Sequence, residues 1–352
     1  METRGQAGDA LNRLGRRGAA LAVGLTIALG LSATAASAAD KVIFGTNWKA
    51  QAEHGGFYQA VAAGIYKDHG LEVEIRPGGP QVNHQQLLAA GKIDFNMSGN
   101  NFHAYNYANN KIPMTSVAAM FQKEPQVLLS HPGQGNDKLG DLMGKPILIS
   151  SGARNSYWLW LKAEYGFTDA QIRPYTFNPA PFLADKKMSQ QGYITSEPFA
   201  IEKQGGFKPV EHLIADYGYN AYSTLIDTSI KRVKENPDQV KRFVEASILG
   251  WVSYLYGDPS AANALIKKDN ADMTDEQIAF SIAKLKQHGI VDSGDSLTKG
   301  IGAMTDARWQ SFFKFASGAG IYPSSLDIST SYTLQFVNNG VGVDLKKKLM
   351  AK

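Results

Sequence analysis

Four histidines, His54, His69, His84 and His103, stand 15 to 19 residues apart, a spacing that matches no metal-binding pattern. They read as ordinary surface or polar-core residues. Asp275 and Glu276 form a carboxylate pair, but Thr274-Asp275-Glu276-Gln277 is a capping box, where first-turn acids favour the helix dipole. No Gly-x-Ser-x-Gly elbow, His-Glu-x-x-His pair or Walker A lysine loop occurs, and Gly133-Gln134-Gly135 sits in a connector rather than between strand and helix. Zero cysteine removes disulfides, thiolate metal sites, Fe–S clusters and cysteine nucleophiles together. Other residues suit non-covalent capture. The run 150–156 (Ser-Ser-Gly-Ala-Arg-Asn-Ser) joins a strand to a helix, and its serines and Arg154 can grip an anionic group. Glu197, after a strand near Tyr193, would accept ring or amino N–H groups and repel sulfonate or nitrate; a surface role or an ion pair with Arg154 is its alternative.

These residues need a scaffold, and 352 residues exceed one ordinary core, so about two lobes are expected. Apolar content of 43% and aromatic content of 10% are globular figures. A formal charge of +4, without a long basic run in the body of the chain, argues against nucleic acid as a partner. The pattern then alternates. A short strand over 42–44, a helix over 57–69 closed by Gly70, and a period-2 strand over 71–76 lead to Pro77-Gly78-Gly79-Pro80. A helix over 82–90, a strand over 93–97 and a helix over 102–108 complete a βαβαβα run, which predicts parallel pairing. Extended segments follow at 114–121 and 126–130, then the connector 131–136. A second α/β series has strands at 147–150, 175–177 and 193–196, a helix at 157–165 and a last segment at 213–217. The final third reads as helical, with N-cap and proline pairs at Asn236-Pro237 and Asp258-Pro259.

The N-terminus reads as an export signal. Arg13, Arg16 and Arg17 precede an apolar run over 19–31, and Ala36-Ser37-Ala38 is a small-residue cleavage pattern before Ala39. The run is short for a bilayer span, which needs about 20 residues. Residues 1–38 carry four arginines, Glu2 and Asp9, so their removal takes the formal charge from +4 to +2. The paired arginines lack the rest of a twin-arginine motif.

Four stretches carry a resemblance in register. They are Thr46-Asn47-Trp48 through Glu53-His54-Gly55-Gly56-Phe57-Tyr58 to His69-Gly70-Leu71-Glu72-Val73; Leu87-Leu88-Ala89-Ala90-Gly91-Lys92-Ile93-Asp94-Phe95; Leu139-Gly140-Asp141-Leu142-Met143-Gly144-Lys145; and Gly192-Tyr193-Ile194-Thr195-Ser196-Glu197-Pro198-Phe199-Ala200-Ile201. Together they resemble the NMT1/THI5-like and SsuA-like substrate-binding proteins of ABC importers, over roughly residues 41 to 225. The resemblance implies an α/β, two-lobed periplasmic-binding fold of type II, with two hinge crossings. Lobe one would be residues 39–134 and 222–352, and lobe two residues 135–221. It also implies a periplasmic protein, a monomer with no cofactor and no metal, handing a small molecule to an ABC permease and ATPase. The ligands it admits are thiamine-pyrimidine precursors, riboflavin-like compounds, alkanesulfonates, taurine and nitrate. Related intracellular enzymes make the thiamine pyrimidine from one of their own histidines, and His54 lies in that region. The export signal and the missing cysteine cluster argue against that activity, and a secreted enzyme on the same scaffold is the rival of another class.

In such a fold ligand sits at the C-terminal ends of strands, where helix N-termini present N–H groups. Trp48 stands there after the first strand, placed for stacking or for the core. His54, Gly55 and Phe57 open the first helix; the glycines turn its N–H groups toward the cleft or simply serve the turn. Ser98, Asn100 and Asn101 follow the third strand as cleft donors, helix caps or both. Ser151, Arg154 and Tyr157 face them from lobe two, where Tyr157 or Trp158 is the second face of an aromatic sandwich and at least one of them packs inside. Glu197 completes that wall. Tyr217, Tyr219 and Tyr222 are candidates for lining or for hinge packing. A nitrogen heteroaromatic is the ligand these residues favour.

Overall fold

The alternating pattern resolves into two sheets, not one. The computed structural model describes residues 38–79, 82–176 and 178–351, so the expected signal peptide, apart from Ala38, lies outside the described residues, as does Phe177. β1 (Asp40–Gly45), β2 (Leu71–Arg76), β3 (Phe95–Asn100), β4 (Met114–Phe121) and β10 (Ser223–Ser229) form the first sheet in the order β2-β1-β3-β10-β4. β5 (Gln126–Ser130), β6 (Ile147–Ile149), β7 (Ile172–Pro174), β8 (Ser189–Tyr193) and β9 (Val210–Leu213) form the second in the order β7-β6-β8-β5-β9.

The two orders are the same pattern. In the first sheet β1 pairs parallel with β2 and β3, while β10 runs antiparallel between β3 and β4. In the second β6 pairs parallel with β7 and β8, while β5 runs antiparallel between β8 and β9. Each antiparallel strand is the first one laid down after the chain changes sheets. This is the α/β two-sheet architecture of periplasmic binding proteins.

The first change of sheet comes earlier than the lobe boundary expected near residue 134. β4 belongs to the first sheet and β5 to the second, so the chain crosses within 122–125. The Pro-Gly-rich connector misleads because Gly133 and Gly135, with φ of 70° and 62°, only turn the chain inside the second sheet's lobe. The return from the second sheet to the first runs through 214–222.

Other elements shift for local reasons. The helix expected over 57–69 is two, Gly55–Ala62 and Ile65–Asp68, broken at Gly64 with φ 72°. The strand expected over 193–196 ends at Tyr193, because Pro198 starts the helix Glu197–Gly205. The helical final third is as expected. Thr274 caps Asp275–Gln287 by accepting the Gln277 N–H at 3.2 Å.

Aromatic rings fill the first lobe. Phe57 lies 4.6 Å from Phe44 and 5.8 Å from Trp251, ring centre to ring centre, and all three are buried. The helices Gly55–Ala62 and Pro237–Tyr256 meet through glycine. A Cβ on Gly250 would fall 2.2 Å from the Gly56 carbonyl oxygen, so only a residue without a side chain permits this approach.

Candidate functional site

A cavity of about 790 Å³ lies between the sheets. Its walls are the segments at the C-terminal ends of β1, β3, β6 and β8, as the parallel pairing requires. Seven of the expected residues line it: Trp48, His54, Ser98 and Asn100 from the first lobe, and Ser151, Tyr157 and Glu197 from the second. The other five lie elsewhere.

Gly55 is off the lining and packs closely, since a Cβ there would sit 2.0 Å from the Tyr254 ring. Phe57 belongs to the aromatic core. Asn101 is buried, and its Oδ1 accepts the Tyr222 N–H at 2.7 Å, tying a helix start to the return crossing. Arg154 is exposed and off the wall. Tyr217 is exposed too, its carbonyl accepting the Tyr165 hydroxyl at 3.3 Å.

The residues that line the cavity are tightly organised. Asn100 caps the helix Asn101–Asn109 by accepting the Phe102 N–H at 3.2 Å. Its Nδ2 also donates to Glu124 at 3.1 Å and to Ser156 Oγ, in the other lobe, at 2.8 Å. Capping and cleft roles therefore coexist. His54 accepts the Gln51 N–H at Nδ1 (3.2 Å) and pairs through Nε2 with Asn47 Oδ1 (3.0 Å). Burial pushes its pKa down to about 3, so it stays neutral with both ring nitrogens engaged.

Glu197 accepts the Tyr193 N–H at 2.7 Å and the Tyr175 hydroxyl at 3.2 Å. It fits because Gly192 lacks a Cβ, which would meet Glu197 Cβ at 2.7 Å. Burial raises its pKa to about 7 against the pull of those donors, and the charge of Glu53 adds to the rise. Gln191 Oε1 accepts the Ser150 N–H at 2.6 Å and the Tyr157 hydroxyl at 3.1 Å, fixing the second wall.

Two further carboxylates, neither anticipated from the sequence, share the cavity. Glu124 is 2% exposed at the first crossing, and burial raises its pKa to about 7. Glu53, also 2% exposed, accepts the Thr195 hydroxyl from across the cleft through Oε1, and burial raises its pKa. Its Oε2 has no hydrogen-bond partner among the described residues. Glu124-Pro125 repeats the Glu197-Pro198 dipeptide at a chain turn, and that repeat was the available signal. Glu53 offered none beyond its place beside His54. Among the described residues that line the cavity there is no lysine or arginine. Nor, among the described residues, do three His, Cys, Asp or Glu side chains group to hold a metal ion.

An acid-rich cavity at strand ends, between two sheets of matching order, is a place where a small molecule can be held. The model of the family described as NMT1/THI5 like matches residues 51–262, more than half of the chain. The chain belongs to this family. Riboflavin-binding protein RibY of Chloroflexus aurantiacus is 23% identical over 298 residues, covering 81% of this chain and 82% of that protein. The periplasmic aliphatic sulphonate binding protein SsuA of Escherichia coli superposes with a TM-score of 0.61 at 14% identity, over 83% of this chain and 91% of that one. The desulfurization enzyme DSZB has a TM-score of 0.55 at 14% identity, over 87% of this chain and 99% of that one. The fold thus serves both binding proteins and an enzyme. Among the described residues no helix is long and apolar enough to cross a membrane.

Proposed function

We propose that the protein is the extracytoplasmic substrate-binding component of an ABC importer and captures a small nitrogen heteroaromatic between its lobes. One observation carries the ligand class: the cavity presents Glu53, Glu124 and Glu197 and, among its described lining residues, no lysine or arginine. Such walls accept N–H groups and repel oxyanions. Trp48 from one lobe and Tyr157, Tyr175 and Tyr193 from the other supply aromatic surface for a planar ring. The name of the riboflavin-binding relative supports the same class.

A sulfonate, taurine or nitrate is the second reading, favoured by the likeness to SsuA. It would need an anchor, and Arg154, the residue expected to supply one, is exposed outside the cavity. A secreted enzyme is the rival of another class. The exported chain would begin at Ala39 and act as a monomer in the periplasm, passing its ligand to a permease and ATPase.

Calorimetric titration of the mature protein with an aminopyrimidine, riboflavin and an alkanesulfonate tests the reading. The expected result is one-to-one binding of a heteroaromatic with no product formed on incubation. Binding confined to the sulfonate overturns the ligand class, and turnover overturns the transport role.

A further inference from the structure

We propose that the ligand is an organic cation whose positively charged nitrogen is received by Glu53 Oε2, with Glu197 and Glu124 on the facing wall and at the crossing. The inference rests on the small-molecule reading of this cavity and narrows it by charge.

Three facts carry it. The three acids come from three different parts of the chain: the turn Ala52–His54, the first crossing, and the start of the helix Glu197–Gly205. Two have their oxygens partly answered, Glu124 by Asn100 and Glu197 by Tyr193 and Tyr175, but Glu53 Oε2 is buried without a partner among the described residues. A buried carboxylate oxygen left unanswered is costly, and a ligand donor removes the cost. Third, among the described residues of the lining no lysine or arginine offsets the acids. Of the lining histidines, His54 is kept neutral by burial with Nε2 on Asn47 Oδ1, His84 places Nδ1 on the Thr46 carbonyl, and His103 accepts the Asn100 N–H at 3.3 Å. The charge that completes the site is therefore brought by the ligand.

The acids are also poised to respond. Burial raises the pKa of all three, and with Glu124 and Glu197 at about 7 the ligand-free site holds protons near neutrality. Of the groups facing them, the Glu53 charge raises Glu197 further, while the hydroxyl, amide and backbone donors lower all three acids but are outweighed by burial. Glu53 meets Thr195, Glu197, Tyr193 and Tyr254; Glu124 meets Asn100, Ser223, Tyr157, Tyr193 and Tyr219; Glu197 meets Glu53, Tyr157, Tyr175 and Tyr193. A cation favours the ionised carboxylates and expels those protons, so binding tightens as pH rises.

Thiamine, whose positive charge is fixed, tests this when titrated calorimetrically into the mature protein from pH 6 to pH 8. Riboflavin serves as the neutral heteroaromatic, spermidine as the non-aromatic cation and ethanesulfonate as the anion. Thiamine affinity should rise on the order of 10-fold over that range, with protons released into the buffer. Glu53→Gln should weaken it about 10- to 100-fold, as expected for loss of a charged hydrogen bond. If Glu53→Gln does not fold, Glu124→Gln should abolish part of the proton release. Riboflavin binding that is equal at both pH values and indifferent to Glu53→Gln overturns the cation and leaves the heteroaromatic standing. Spermidine binding with neither ring compound bound keeps the cation and overturns the heteroaromatic. Binding of ethanesulfonate alone overturns both.

Discussion

Arg308 lies over the ring of Tyr222, its guanidinium carbon 4.0 Å from the ring centre. The same guanidinium donates to the Gln122 carbonyl at 2.6 Å and to the Ala221 carbonyl at 2.9 Å, so one side chain holds both crossings between the lobes. A third bond, to the Asn220 carbonyl at 3.3 Å, completes the fork. Hinges must bend without tearing, and a planar fork on backbone carbonyls sets how far these two can separate. Arg308→Gln should cost about 1.5–3 kcal/mol of stability, the range for hydrogen bonds to a charged group. It should also enlarge the ligand-free radius in solution scattering. Urea denaturation and scattering of the variant check both; an unchanged radius would mean that the clasp does not govern opening.

Asn100 links the lobes a second time. Its side chain caps one helix and donates to Glu124 and, across the cleft, to Ser156. Asn100→Asp keeps the cap but sets a second carboxylate against Glu124. The expected outcome is little change in far-ultraviolet helicity, a stability loss of about 1–3 kcal/mol from the buried unpaired group, and a loss that grows from pH 6 to pH 8. Thermal melts across that range measure it.

How much of this was legible in the residues differs by level. The period-2 strand at Leu71–Arg76 and the capped helix at Asp275–Gln287 follow from local patterns, which is why the fold was readable. The cleft was legible at Trp48, Asn100 and Glu197 because strand ends in a parallel sheet all open toward it. Arg154 was not, because spacing places a residue on a loop without setting the direction of its side chain. Glu53 and Glu124 escaped notice for another reason. Their burial depends on Thr195, Tyr254 and Asn100, partners distant in the chain from one or both acids, and on a crossing that the glycine-rich connector disguised.

The buried acids make stability depend on pH. Glu124, Glu197 and Asp227 have pKa values raised to about 7, chiefly by burial. A carboxyl raised in the folded state contributes stability below its unfolded pKa and loses it as pH climbs through the folded value. His54, lowered to about 3 by burial, acts oppositely: its contribution is present above the unfolded value and lost as pH falls. The two effects oppose each other below about pH 6.5, the unfolded histidine value, and above it only the acids still titrate. Ligand-free protein should therefore lose melting temperature between pH 6.5 and 8, and Glu124→Gln should flatten part of that slope. Calorimetric scans at constant ionic strength decide it, and a rising or level curve contradicts the buried-acid account.

Glu197 and Trp48 line one cavity from different lobes. If a planar heteroaromatic binds, Trp48 covers its face and Glu197 accepts an N–H from its edge. Glu197→Gln keeps the shape and removes the charge, so affinity should fall on the order of 10- to 100-fold, the worth of a charge-assisted hydrogen bond. Trp48→Ala should cost at least as much, through lost burial and stacking. Arg154→Ala should leave binding within about twofold, because that side chain is exposed and does not line the cavity. An oxyanion ligand reverses all of this: removing the Glu197 charge would leave binding unchanged or tighter, and Arg154 would have to swing inward to matter. Titration of the three variants against a pyrimidine, a flavin and a sulfonate separates the cases. If Arg154→Ala abolishes binding while Glu197→Gln strengthens it, the acid wall is not what selects the ligand.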